Sequence, residues 1–445
     1  MKVNKADSLL RSWKPGVPHS QTASIGSRRP SSSVVEISSL GQILSWIPLI
    51  AAIAVTVAVI LSGDGRMTPQ RWDQNFADVV DLHIYHNGTN WIFQYPVLSW
   101  TGGITGSLLV GLYKLIVPTS SETLNWHVKI FAAVAFLVSL FWLAKTYLRN
   151  WLDQVAILFI AVTSGLLYLE PSTELFAGAS LNLFAVAIHS NRRTWLQALT
   201  LAVFSLIKIE LLPIGAIVAI FWTVTSHQSI RRRLAFLLSF GLVVAVLIAL
   251  SIYFHGYQTV FFGREIAAFE QHYCFLFHGD YNTPCLARDM PDVRTVSDVV
   301  RNHTEQYLSF VWASLLQSAR IIFLTLNLLA LSVPLLIAQA FRSSENGDRL
   351  ISRLTLLVLA MTCSIAALVA YVHPRYLTRA FGLLLVASPL ALRETAAKQR
   401  QQRLNVLILA LTITIVVFNL MHLPAFLAKP FEDHNILLWA NKYNW

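Results

Sequence analysis

Apolar runs of bilayer-crossing length recur along this chain, at about 43–61, 127–148, 153–169, 174–189, 233–254, 320–341, 350–371, 375–392 and 403–424. A run of that length in lipid must satisfy its own backbone polar groups, which a helix does internally. With 55% hydrophobic and only 13% charged residues, a mean hydropathy of +0.56 excludes a soluble domain of 445 residues, which needs a far more polar surface. The sequence therefore predicts an all-α polytopic membrane protein.

The excess of 34 Lys+Arg over 23 Asp+Glu does not point to nucleic acid, because the basic residues stand in short clusters between the apolar runs. Lys145/Arg149, Arg192/Arg193, and the clusters at 231–233, 342–353 and 393–403 all fall on the cytoplasmic side if the N-terminus is inside. Two stretches decide the count. Taking the glycine-rich run 97–117 as a span would export Lys145 and Arg149, so it is expected to be interfacial or re-entrant on the outer face. The stretch 195–225, interrupted by Lys208, Glu210 and Pro213, is expected to form two short spans with an outer turn. The result is about eleven transmembrane helices with the C-terminus outside.

Residues 1–40, carrying Lys2, Lys5, Arg11, Lys14, Arg28 and Arg29, exceed a signal-peptide n-region and are expected to be a disordered cytoplasmic tail. The membrane domain is then 41–424, with outer loops at 63–126 and 255–319 and an outer tail at 425–445.

Nearly all the chemically interesting residues fall on the outer side. Asp78 and Asp81 share a helical face in the segment 71–88. A carboxylate held against a membrane surface can act as a general base, because partial desolvation raises its pKa. The bland alternative is a solvated amphipathic helix. Glu170 and Glu174 follow the third run; they could share a divalent cation with the first loop, or Glu174 could simply favour the first turn of the next helix. Lys208 and Glu210 sit where an unpaired charge is costly, so a mutual pair or a polar cavity is implied. Arg375 could clamp a phosphate at the lipid surface beside Tyr376, or snorkel from a tight turn. Cys274 and Cys285, near in sequence and on the oxidising side, are expected to form a disulfide, with Cys363 packed in a span.

The acidic segment after the first run, Asn87-Gly88, Tyr95-Pro96 leading into the glycine-rich stretch, a second outer acidic site and His373-Pro374-Arg375-Tyr376 together resemble the GT-C membrane glycosyltransferases. The branch most similar contains protein O-mannosyltransferases and bacterial lipid A aminoarabinose transferases. That resemblance implies a GT-C-like bundle with outer-face juxtamembrane helices and loops. It further implies transfer of a sugar from a polyprenyl-phosphate donor to a lipid, glycan or protein acceptor at the non-cytoplasmic face, here of a bacterial inner membrane. It makes Asp73 the leading base, with Asp78 and Asp81 behind it, and Glu170 or Glu174 the second acidic residue. Arg375, Tyr376 and Lys208 would meet the donor phosphate, and a divalent ion such as Mg or Mn would bind Asp73 and Glu170. The sequence departs from the family where its usual Asp-Glu pair reads Asp73-Gln74. Two other classes remain: a lipid-linked-oligosaccharide flippase or secondary transporter, and an inactive membrane scaffold.

Overall fold

A computed structural model describes residues 45–62, 121–168, 173–190, 193–226, 228–255, 265–279, 285–341, 347–369, 374–395 and 401–427. The chain divides into units 1–46 and 47–445, and every element below belongs to the second. Among the described residues there are fifteen α-helices, three 3-10 turns and no strand. The expected tail at 1–40, the run 97–117 and most of the loop 63–126 lie outside the described residues. So does 428–445, helix having continued to Leu427.

Helices α1 (Ile47–Leu61), α2 (Ser121–Tyr147) and α3 (Trp151–Thr163) pack on one another, and α4 (Thr173–His189) lies against α2. The expected break in 195–225 separates α5 (Thr194–Ile207) from α6 (Leu212–Thr225) through the 3-10 turn Ile209–Leu211. Pro213 helps set the start of α6, its ring fixing the backbone at a position where a missing N–H costs nothing. A long α7 (Ile230–His255) then covers α5 and α6.

Three helices, α8 (Glu265–His278), α9 (Leu286–Asp289) and α10 (Val296–Asn302), build a small segment with its own apolar core around Phe269, Tyr273, Met290 and Val299. The remaining helices are α11 (Thr304–Leu326), α12 (Ser332–Phe341), α13 (Gly347–Val369), α14 (Pro374–Thr395) and α15 (Gln401–Leu427).

The apolar run 320–341, expected as one span, is not one helix. It turns by 113° between α11 and the 3-10 turn that leads into α12. Asn327 ends α11 at φ +50° and ψ −131°, a backbone conformation outside the left-handed helical well that L side chains rarely adopt and that cannot continue a helix. Pro334, in the first turn of α12, has no N–H to continue a ladder back across the break.

Burial is inverted relative to a soluble protein. α4 and α14 are covered nearly all round, whereas α15 exposes Val406, Leu407, Ile413, Val417 and Met421, and α7 exposes Leu234, Leu238, Leu242 and Val246. Stripes of exposed aliphatic side chains on outer helices call for an apolar surrounding medium. Three helical segments, His127–Tyr147, Arg349–Leu368 and Gln402–Pro424, are long and apolar enough to cross a membrane.

Candidate functional site

The start of α4, the turn after α5 and the start of α14 meet at one end of the bundle. α4 and α14 run side by side in the same direction, and small residues let them approach. A Cβ on Gly178 would stand 2.7 Å from the Thr378 carbonyl oxygen, and one on Gly382 would stand 2.4 Å from the Asn182 side chain. With no Cβ, glycine allows that backbone approach. Glu174 is one turn before Gly178, and Arg379 directly follows Thr378. The same close packing therefore carries the carboxylate to the guanidinium. The α5–α6 hairpin is tightened at Gly215, where a Cβ would fall 1.8 Å from the Ser205 hydroxyl. The turn at its tip presents Lys208 and Glu210.

These four side chains form one network. Arg379 donates from Nε to Glu174 Oε2 at 2.5 Å and from Nη2 to Oε1 at 3.0 Å, the fork-to-fork geometry that suits guanidinium and carboxylate. Lys208 Nζ donates to Glu174 Oε1 at 2.6 Å. Arg379 Nη2 also donates to Glu210. The Tyr376 ring, one turn earlier in α14, lies 4.4 Å from the guanidinium carbon and adds a cation–π contact. Two carboxylates and two cations leave the network formally neutral. Exposure divides its members: the side chains of Glu174 and Arg379 are 2% and 4% exposed, that of Glu210 40%.

Of the candidate residues named from the sequence, the structure brings some together and not others. Glu174, Lys208 and Tyr376 come together. Lys208 and Glu210 do not form the mutual pair that was one expectation; each turns to a different helix, because residues two apart in a tight turn do not face each other. Arg379 is the arginine at the centre, although Arg375 was the one expected to act. Arg375 lies four residues earlier, in the first turn of α14, with its side chain outside the described set. The two share a helical face by spacing, and that spacing was the available signal for Arg379. Asp73, Asp78, Asp81 and Glu170 lie outside the described residues.

The described part of this cluster does not fit a divalent cation. Both oxygens of Glu174 already face cations, and those two positive charges, Lys208 and Arg379, stand where a metal's positive charge would have to be accommodated. A second grouping, His278, Cys285 and Asp289, has the spacing of a metal site. Cys285 is bonded to Cys274, however, with a Cα–Cα distance of 5.6 Å, and offers no thiolate. His278 and Arg288 are instead engaged with Asp289, and these hydrogen bonds, that of Arg288 above all, hold its carboxyl below the usual range. Nearby, His303 bonds Asp292 at 2.7 Å and depresses that carboxyl too, helped by Asn302.

A second polar layer closes the other end of α14. Arg393 makes a bidentate pair with Asp153 at 2.6 and 2.7 Å and also reaches Asn405. Glu394 accepts from Gln339 at 2.6 Å and Arg349 at 2.8 Å. These bonds tie α3, α12, α13 and α15 to α14. No protein-family model matches the chain, and no curated protein matches it.

Proposed function

We propose that the protein is a polytopic membrane glycosyltransferase with a GT-C-like bundle of about eleven spans. It moves a sugar from a polyprenyl-phosphate donor to a lipid, glycan or protein acceptor at the non-cytoplasmic face. The observation that supports this reading is the meeting of Glu174, Lys208, Glu210 and Arg379 at one end of the bundle, from parts of the chain up to 205 residues apart. The charges gather at helix ends, where a phosphate carried at a lipid surface would be met. A translocation path would put them midway along the helices, so the transporter reading is less well supported.

In this reading Arg379, with Lys208, Tyr376 and the neighbouring Arg375, stabilises charge that develops on the departing lipid phosphate. The acceptor oxygen bonds to the anomeric carbon as the bond from that carbon to the phosphate oxygen breaks. A carboxylate, Asp73 with Asp78 and Asp81 as its neighbours, takes the acceptor's proton. Glu174 holds Arg379 in place and does not itself meet substrate.

The test is transfer of radiolabelled sugar from polyprenyl-phosphate sugars in membranes that carry wild type, Asp73→Asn or Arg379→Lys at matched expression. Transfer by the wild type and its loss in both variants is expected. Survival in Asp73→Asn would move the base to Asp78 or Asp81, and no transfer from any donor would sink the enzyme reading.

A further inference from the structure

We propose that Glu210 is a displaceable counter-ion, seated on Arg379 in the place that the phosphate group of an isoprenoid phosphate takes. The inference rests on the reading above only in placing that phosphate at Arg379. It begins from an asymmetry within the network. Glu174 is fixed by three bonds from two cations and is almost fully buried. Glu210 makes one described bond, through the same Nη2 that Glu174 shares, and its side chain is 40% exposed.

Position reinforces the asymmetry. Glu174 stands in the first turn of a buried helix, packed through Gly178 onto α14, and has nowhere to go. Glu210 stands in a short 3-10 turn between two helices, so its side chain can swing to water without opening a buried hole. Its departure leaves one carboxylate against two cations, that is, one uncompensated positive charge at the mouth of the network. An anion with the geometry of a carboxylate or phosphate fits that vacancy on a guanidinium fork, and the Tyr376 ring keeps the fork's plane fixed meanwhile. Binding therefore exchanges one anion for another and never leaves the almost fully buried Arg379 short of a counter-ion, which would be costly. It also makes Glu210 a competitor of the ligand.

The competition is measurable with purified protein in detergent, using farnesyl phosphate, inorganic phosphate and farnesol as probes. Glu210→Gln and Glu210→Ala each remove the competitor, and both are expected to tighten farnesyl phosphate binding by about tenfold, the usual worth of one charge-assisted contact. Farnesol binding should not change. Equal tightening for inorganic phosphate would support the displacement with free phosphate as the ligand. Binding in both variants that matches or falls below the wild type overturns the proposal, as does failure of all three proteins to bind either phosphate. The sugar-transfer assay is independent of this result. Tightening without transfer would keep the displacement and remove the transferase, whereas transfer without tightening would do the reverse.

Discussion

Arg379 satisfies two carboxylates from one buried guanidinium, so its loss leaves Glu174 with Lys208 alone and Glu210 with no described partner. Arg379→Ala is expected to cost about 3–5 kcal/mol, the usual penalty for breaking a buried pair from one side. A lowered unfolding temperature in detergent would register it. Arg379→Lys keeps the charge and loses the fork, so it should unfold closer to the wild type while abolishing phosphate-dependent activity. Gly178→Ala tests the packing beneath the pair. The new Cβ meets backbone oxygen and the Phe136 ring, and a destabilisation of about 1–3 kcal/mol is expected by the same measurement. At this scale the sequence revealed charges without their partners. Lys208 and Glu210 stand out because they interrupt an apolar run, yet their partners are 34 and 169 residues away, beyond any spacing rule. Asp153 carries no such sign, since an acid in a helix's first turn behind the cap Asn150 reads as ordinary dipole chemistry. Only the fold shows Arg393 against it.

Among the elements, the segment α8–α10 depends most on devices other than burial. The disulfide between Cys274 and Cys285 closes a short loop and restrains the unfolded chain by about 3 kcal/mol. Cys274→Ser with Cys285→Ser should therefore speed proteolysis within this segment while leaving the helices around α14 protected. The capping box of Thr295 and Asp298 starts α10, and Thr295→Ala should cost about 1 kcal/mol. Acid offers a reversible counterpart. Asp292 has a folded pKa below its ordinary 3.8, chiefly through His303, so its contribution is present above that value and is lost as pH falls through the folded one. Protection factors of the amides at 292–303, corrected for intrinsic exchange, should fall as the pH is taken progressively below 3.8, and added salt should shrink the change. Helices are legible in the sequence where apolar runs have clear stops, as at the α5–α6 break. At 320–341 they are not, because apolar composition does not record a bend. Asn327 and Pro334 were the local signs, and each alone is common within apolar helices.

For the molecule as a whole, the charge clusters predict sidedness. With Cys363→Ser as background, a cysteine at the exposed position Arg301 should react with a membrane-impermeant maleimide in intact cells, and one at the exposed Arg231 only after permeabilisation. The reverse pattern would invert the site and place Arg379 at the cytoplasmic face. One further dimension follows from α14, which bears Arg379 near its start and Arg393 near its end, each engaged with a carboxylate from another helix. About 21 Å of helix separates them. The hydrocarbon layer of an ordinary bilayer is about 30 Å thick. The two charged layers thus stand closer together than the two planes of headgroups, and any tilt of the helix narrows the gap further. On the proposed reading, a lipid whose phosphate reached Arg379 would sink below its neighbours, the leaflet would dimple around the protein, and a thin membrane would suit it better than a thick one.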